Sequence, residues 1–309
     1  TVGLISVFSA ITIFVINKII FLSSILKEIL PIYLGNKYEW RFGNIYYTKN
    51  GGGNPLLLIH DLDPGSSDLE WSEMVEKLAE KNTVYTLDLL GFGRSDKPNL
   101  TYTNYLYVQL ITDFVKNVIG RRTDVIASGS SSSIVTMSCC NDNTLFNKIM
   151  FINPDPINKN NQIPTKKSKL LKLLIDTPII GTLIYNINVS KEVINKEFSN
   201  RYFQNPYRIS KNLVNGYYEA AHLDGENSKY IFSSIRGNFV NFSISHRLGE
   251  INNSIYIVGG SHEKNIKQTL YDYKTLNPII EADLIEGTKH LPHIEKPEEF
   301  FRLCEIFLL

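Results

Sequence analysis

Residues 128–133 are all serine or glycine, and this is where the chain's residue types first suggest a reaction. A serine hydroxyl is a weak nucleophile at neutral pH until a base takes its proton, and histidine has a suitable pKa for that task. Six histidines are available. Residues 124–127, just before the cluster, read as a short buried strand, and helical spacing resumes from Ile134, so the cluster is a strand-turn-helix junction. A turn this sharp pushes its central residue into sparsely allowed backbone geometry and requires tiny neighbours. In the frame Ser128-Gly129-Ser130-Ser131-Ser132 it is a small-x-Ser-x-small version of the G-x-S-x-G turn, with Ser130 at the centre and serine in place of both outer glycines. The same composition also suits a plain surface loop, so the elements around it decide between the two.

Those elements alternate between strand and helix. Residues 38–42 and 44–48 read as two strands joined near Gly43, and 56–59 as a fully apolar strand running into a loop at 60–67. A helix is expected over 70–81, then a strand over 83–87. Further strands are expected over 149–153, 254–258 and 279–285, with a last helix from Pro297. This alternation implies βαβ units, a mostly parallel sheet and right-handed crossovers, hence the α/β class. Residues 156–250 interrupt the pattern with a Lys- and Leu-rich helix at 166–175, a break at Asp176-Thr177-Pro178, and a long stretch rich in Tyr, Phe, Asn and Ser.

Composition narrows the function. The chain has 309 residues and 43% hydrophobic content, enough for a sizeable core, and its 32 basic and 31 acidic residues leave a net charge of +1. Such a balance argues against nucleic acid as a partner. The three cysteines, adjacent Cys139 and Cys140 and distant Cys304, have neither C-x-x-C spacing nor an even framework, so no metal site is expected. No phosphate-binding glycine loop or dinucleotide fingerprint occurs, and no cofactor is expected. Residues 1–36 form a separate hydrophobic segment. Its stretch 2–22, interrupted by Asn17-Lys18, is just long enough to span a bilayer if Lys18 snorkels. The leading expectation is a single membrane span; a signal-peptide core or a greasy helix packed on the body are the alternatives. Lys18, Lys27, Lys37 and Arg41 all follow the segment, which by the positive-inside rule puts the globular part in the cytoplasm.

From Tyr38 onward the chain resembles the α/β-hydrolase superfamily. The resemblance rests on LLLIHDLDPGSS, VYTLDLLGFGRSDKP, the turn around Ser130 and GTKHLPHIEKPEEF, in the superfamily's order and at its usual spacing. It implies an α/β-hydrolase core at 37–155 and 251–309 and a helical cap at 156–250. Two departures stand out: His60-Asp61 where His-Gly is usual, and serine at 128 and 132 where glycine is usual. Asp61 sets a carboxylate beside the place where an oxyanion would form.

The resemblance assigns roles residue by residue. Ser130 is the expected nucleophile and His290, between the last strand and the C-terminal helix, the expected base, with His293 its nearest rival. A triad needs a carboxylate to orient the imidazole. After the strand at 254–258 the chain reads Gly259-Gly260-Ser261-His262-Glu263, and Glu263 falls where an acid is usual; Asp155, after the strand that follows the nucleophile helix, is the alternative. The oxyanion hole would be formed by the backbone N–H groups of Leu62 and Ser131. Cap aromatics such as Tyr202 and Tyr217 would either wall an apolar pocket or form the cap's own core. The expected activity is therefore hydrolysis of a carboxylic ester or related acyl bond in a small, apolar acyl substrate by a serine triad. The alternatives are a catalytically impaired binding protein of the same fold and a haloperoxidase-like member with the same triad.

Overall fold

The computed structural model describes residues 2–308. In chain order its elements are α1 (Val2–Ser24), β1 (Asn36–Trp40), β2 (Gly43–Gly51), β3 (Asn54–Ile59), α2 (Val75–Ala79), β4 (Asn82–Leu87), α3 (Asn104–Phe114), β5 (Thr123–Ser128), α4 (Ser131–Asn141) and β6 (Phe146–Ile152). A helical stretch follows: α5 (Ile157–Asn160), α6 (Lys166–Asp176), α7 (Ile180–Asn188), α8 (Lys191–Glu197), α9 (Lys211–His222) and α10 (Lys229–Arg236). The chain closes with β7 (Ile255–Gly260), α11 (Ile266–Leu276), β8 (Glu281–Ile285), α12 (Pro292–Glu295) and α13 (Pro297–Leu308).

The eight strands form one sheet in the order β1-β2-β4-β3-β5-β6-β7-β8. β1 and β2 pair antiparallel, as do β2 and β4, and every later pairing is parallel. Strands covered by helices on both faces read as unbroken apolar runs. Leu56 to Ile59 on β3 and Val125 to Ala127 on β5 are such runs, and all are inaccessible to solvent. The side chains of the sheet divide between two cores, one around Leu57, Val125 and Phe151, the other around Leu58, Ile126 and Met150. Parallel strands send all their carboxyl ends to one edge, and the loops there gather ligand-binding groups in open α/β sheets. In this chain that edge carries Asp61 after β3, Gly129 after β5, Asp155 after β6, Glu263 after β7 and His290 after β8.

The helix expected over 70–81 is instead a 3-10 turn at Asp68–Trp71 followed by the short α2. Glu70, Trp71 and Met74 are all fully buried, and the tightened turn aims the Glu70 carboxylate at the Asp61 amide, 3.1 Å away. Asp88 and Arg94 fix the neighbouring loop: Arg94 Nε donates to Asp88 Oδ2 at 2.8 Å, its guanidinium also pairs with Asp68, and it lies over the Tyr46 ring.

The N-terminal helix runs through Asn17-Lys18 without a break. Asn17 is buried against the helical stretch after β6, donating to the Ile179 carbonyl at 3.1 Å and accepting from Asn186 Nδ2 at 2.9 Å. Phe21 packs on His222, and both Glu219 oxygens accept backbone N–H groups, of Ile29 and Leu30, at 3.0 Å. Earlier side chains such as Phe8, Ile11 and Phe14 face outward.

Candidate active site

The bend after β5 falls one residue earlier than the sequence frame put it. Gly129 takes the left-handed backbone (φ +53°), while Ser130 is the helical N-cap of α4 at φ −63°, ψ −25°. The sharp turn is thus centred on Ala127-Ser128-Gly129-Ser130-Ser131, with glycine at the position whose side chain would stand out from the strand-helix junction. A Cβ built on Gly129 would overlap the Asp61 carboxylate. The space left by the missing side chain is filled by Asp61.

Asp61 is held there from three sides. Its Oδ1 accepts from the Leu62 amide at 2.7 Å and the Ser130 amide at 2.8 Å, and its Oδ2 lies 3.0 Å from His290 Nε2. The two amides that converge are those of Leu62 and Ser130. Ser131 is the residue expected to supply the second; the amide that meets Asp61 is that of Ser130, while the Ser131 hydroxyl donates to the His60 carbonyl at 2.6 Å. With the bend at Gly129, the first amide beyond it belongs to Ser130. His60 steadies the same loop: its Nδ1 donates to the Asp61 carbonyl at 2.6 Å and its Nε2 accepts from the Leu89 amide at 3.1 Å.

On its other side His290 has Glu263 Oε2 at 3.3 Å from Nδ1. The structure therefore brings Glu263, His290 and Asp61 into one line. Burial opposes charge on both members of the inner pair, but mutual hydrogen bonding outweighs it. The Asp61 carboxyl is held well below its ordinary range despite burial by the hydrogen bond and charge of His290. Burial works against the His290 cation, yet its hydrogen bonds to Asp61 and Glu263 raise it to about 9. Both shifts favour the charged forms of the pair, an imidazolium facing a carboxylate.

Ser130 and Asp155 form a separate pair. The Ser130 hydroxyl donates to Asp155 Oδ2 at 2.6 Å, and Lys159 Nζ donates to Asp155 Oδ1 at 2.8 Å, so neither residue meets the imidazole of His290. His293 lies behind the site, fully buried against Trp71, its Nε2 3.4 Å from Glu70 Oε1. Asp61, Ser130 and Lys159 open onto a cavity of about 380 Å³ that Arg201, Tyr202 and Tyr217 also line.

Two further residues position the histidine: Asn153, which sequence reasoning passed over, and Tyr202, which it read only as a pocket-wall or cap-core aromatic. Asn153, at φ +42°, donates from Nδ2 to the Lys289 and His290 carbonyls at 2.9 and 2.8 Å and accepts the Gly260 amide at 3.0 Å, so one amide joins the ends of β6, β7 and β8. Tyr202 stacks on the imidazole with ring centres 5.7 Å apart. An asparagine directly after an apolar strand, where left-handed backbone favours Asn, was the available signal for the first.

The model of the alpha/beta hydrolase family matches residues 56–303. The chain belongs to that family. This hydrolase is 27% identical over 278 residues to the proline iminopeptidase of Heyndrickxia coagulans, an alignment covering 85% of this chain and 93% of that one. Its fold matches that of a serine hydrolase involved in carbazole degradation, with a TM-score of 0.73 at 18% identity over 89% of this chain and 98% of the other. A membrane phospholipase A superposes with a TM-score of 0.70 at 18% identity, covering 99% of this chain and 96% of its own. The fold and the hydrolase relatives mark the chain as a hydrolase. In the turn after β5 it carries Gly129, and the Asp61 carboxylate from the end of β3 stands where a side chain on Gly129 would be.

Proposed function

We propose that this hydrolase works through Asp61 as a carboxylate nucleophile and that its substrate carries an electrophilic carbon of the epoxide type. The observation that carries this reading is the division of labour between the two Asp61 oxygens: Oδ1 on two backbone amides, Oδ2 on His290 Nε2. A carboxylate so held can attack carbon with Oδ2, forming a C–O bond to give an alkyl ester while the C–O bond of the epoxide breaks. The alkoxide released in the ring opening takes the Nε2 proton of His290, which at neutral pH carries one to give.

Esterification removes the charge that held His290 protonated, so the imidazole becomes a base. It takes a proton from water, and the hydroxide adds to the ester carbonyl carbon. The oxyanion that develops on Oδ1 already has the Leu62 and Ser130 amides directed at it. Collapse breaks the ester bond, the departing alkoxide takes the proton from His290, and the acid of Asp61 returns its proton to the imidazole. The sum is epoxide plus water giving diol. Glu263 orients the ring and stabilises its cation throughout. An epoxide suits the resting pair better than an alkyl halide, because only the epoxide needs the proton His290 holds.

A second reading, the serine esterase expected from the sequence, draws support from one contact. The Ser130 hydroxyl borders the cavity and bonds a carboxylate, Asp155, that can accept its proton. One experiment separates the two. With protein in excess over styrene oxide in heavy-oxygen water, the Asp61 route gives a first-turnover diol lacking the heavy isotope and a labelled Asp61 peptide, and Asp61→Asn abolishes both. Labelling of the protein by a fluorophosphonate, lost in Ser130→Ala and kept in Asp61→Asn, would overturn the carboxylate route in favour of the serine.

We also infer that α1 is a membrane anchor. Between Phe8 and Val15 it presents Phe8, Ile11, Phe14 and Val15 outward, and its last third is fastened to the helical layer above the site by Asn17 and Phe21. Lys27, Lys37 and Arg41 follow it, which supports a cytoplasmic globular part.

A further inference from the structure

The helix α6 is built inside out. Its sequence KKSKLLKLLID is amphipathic, and a helix of this kind on a soluble protein turns its leucines to the core and its lysines to water. Here Lys172 is buried, 8% exposed, with Nζ on Asp176 Oδ2 at 2.5 Å and within 3.5 Å of the Ser233 hydroxyl, which itself donates to Asp176 at 2.5 Å. Leu170 and Leu173 remain 67% and 65% exposed, and Leu171 and Leu174 are also exposed. The helix is well formed: Thr165 and Ser168 close a capping box at its start. Its packing against the body therefore runs through a polar triad and Ile175, which is buried in one cluster with Phe232 of α10, while Leu170, Leu171, Leu173 and Leu174 have no partner among the described residues.

The residues around that face indicate what covers it. Lys166, Lys167 and Lys169 occupy the exposed first turn, where no acidic side chain balances them. Leucines beside a row of lysines are the composition of a helix lying in the boundary layer of an anionic membrane, with lysines on headgroups and leucines below them. The face also continues onto its neighbours: Ile163 before α6 and Ile180 at the start of α7 are exposed, and α7 is where Asn17 fastens the apolar α1. A second copy of the chain would explain the leucines but bring three more lysines against these three.

We propose that α6 is a membrane-docking helix, which lays its leucine face in the boundary layer of an anionic phospholipid bilayer and so presses the helical layer over the active site against the membrane surface. The proposal does not depend on which residue is the nucleophile. It is tested with the full chain in vesicles of phosphatidylcholine with and without phosphatidylglycerol, using Leu174→Trp and, as a check on folding, Leu170→Trp. The natural Trp40 and Trp71 are buried and supply the blank. In phosphatidylglycerol-containing vesicles the added indole should shift its emission to the blue and lose most of it to lipids brominated on the acyl chain. Adding Lys166→Glu, Lys167→Glu and Lys169→Glu should abolish that quenching while α1 keeps the protein on the vesicles. An added indole that stays unquenched by bromolipid in vesicle-bound protein overturns the proposal. So does one shielded only as protein concentration rises, which would mean a second copy covers the face.

Discussion

Alanine at Gly129 would test directly whether the Asp61 carboxylate occupies the place of a nucleophile. The backbone there has φ +53°, where an L side chain costs roughly 1–2 kcal/mol more than glycine. The new methyl would also overlap the Asp61 carboxylate, which must then leave. Leaving breaks its bonds to the Leu62 amide (2.7 Å), the Ser130 amide (2.8 Å) and His290 (3.0 Å). Hydrogen bonds to a charged group contribute about 1.5–3 kcal/mol each, and three that share one carboxylate do not add, so their joint loss is on the order of 3 kcal/mol. Gly129→Ala is thus expected to destabilise the protein by about 4–5 kcal/mol. Asp61→Gly removes the same three bonds by itself, so the double variant loses them once and has no overlap. Its unfolding free energy should exceed the additive value by about 3 kcal/mol. Urea denaturation followed by circular dichroism supplies the four corners of the cycle. A Gly129→Ala penalty no larger than the backbone strain, or strict additivity of the two changes, would refute the placement of Asp61.

The inner ion pair predicts a pH profile for stability. His290 is raised to about 9 from an unfolded value near ~6.5, so its contribution is complete below ~6.5 and is lost as pH climbs through about 9. Asp61 is depressed, so its contribution is present above ~3.9 and lost as acid protonates it; stability measured from pH 5 to 10 should fall on the alkaline side, and Asp61→Asn should flatten that fall. Asn153→Ala should cut kcat by about tenfold or more through loss of histidine placement, with little change in KM, as steady-state kinetics will read. Protein carrying α1 should sediment with membranes and resist extraction by high salt, whereas release by salt alone would argue that α1 only packs on the body.

Much of the fold was legible because its signals are local. The apolar runs of β3 and β5 and the turn residues after them follow from burial on both faces of a parallel sheet, and the order of the landmark motifs fixed which strand ends meet. The neighbourhood of His290 and Glu263 could be read for the same reason, since each lies in the loop that follows a strand, β8 and β7 respectively. The exact frame of the turn could not. Shifting it by one residue also gives a small-x-x-x-small pattern, and it is the left-handed backbone of Gly129, just past the last β5 pairing of Ser128 with Ile152, that puts the bend there rather than at the helical Ser130. Asp61 was visible as a departure but was read as an obstacle, because nothing local says that a side chain from one strand end fills the vacancy left on the next. Asn153 and the inverted α6 depend on contacts across many residues, which periodicity does not report.

The attachment of α1 has a mechanical side. Asn17 grips the helical layer at Ile179 and Asn186, and Glu219 holds the backbone of Ile29 and Leu30 before the chain reaches β1. A pull along α1 is therefore taken up by α7 and α9 before it reaches the sheet. The α9 helix also carries Tyr217, whose ring walls the cavity beside Asp61. Tension at the N-terminal helix would move the roof of the active site while its floor, set by the sheet, stays still.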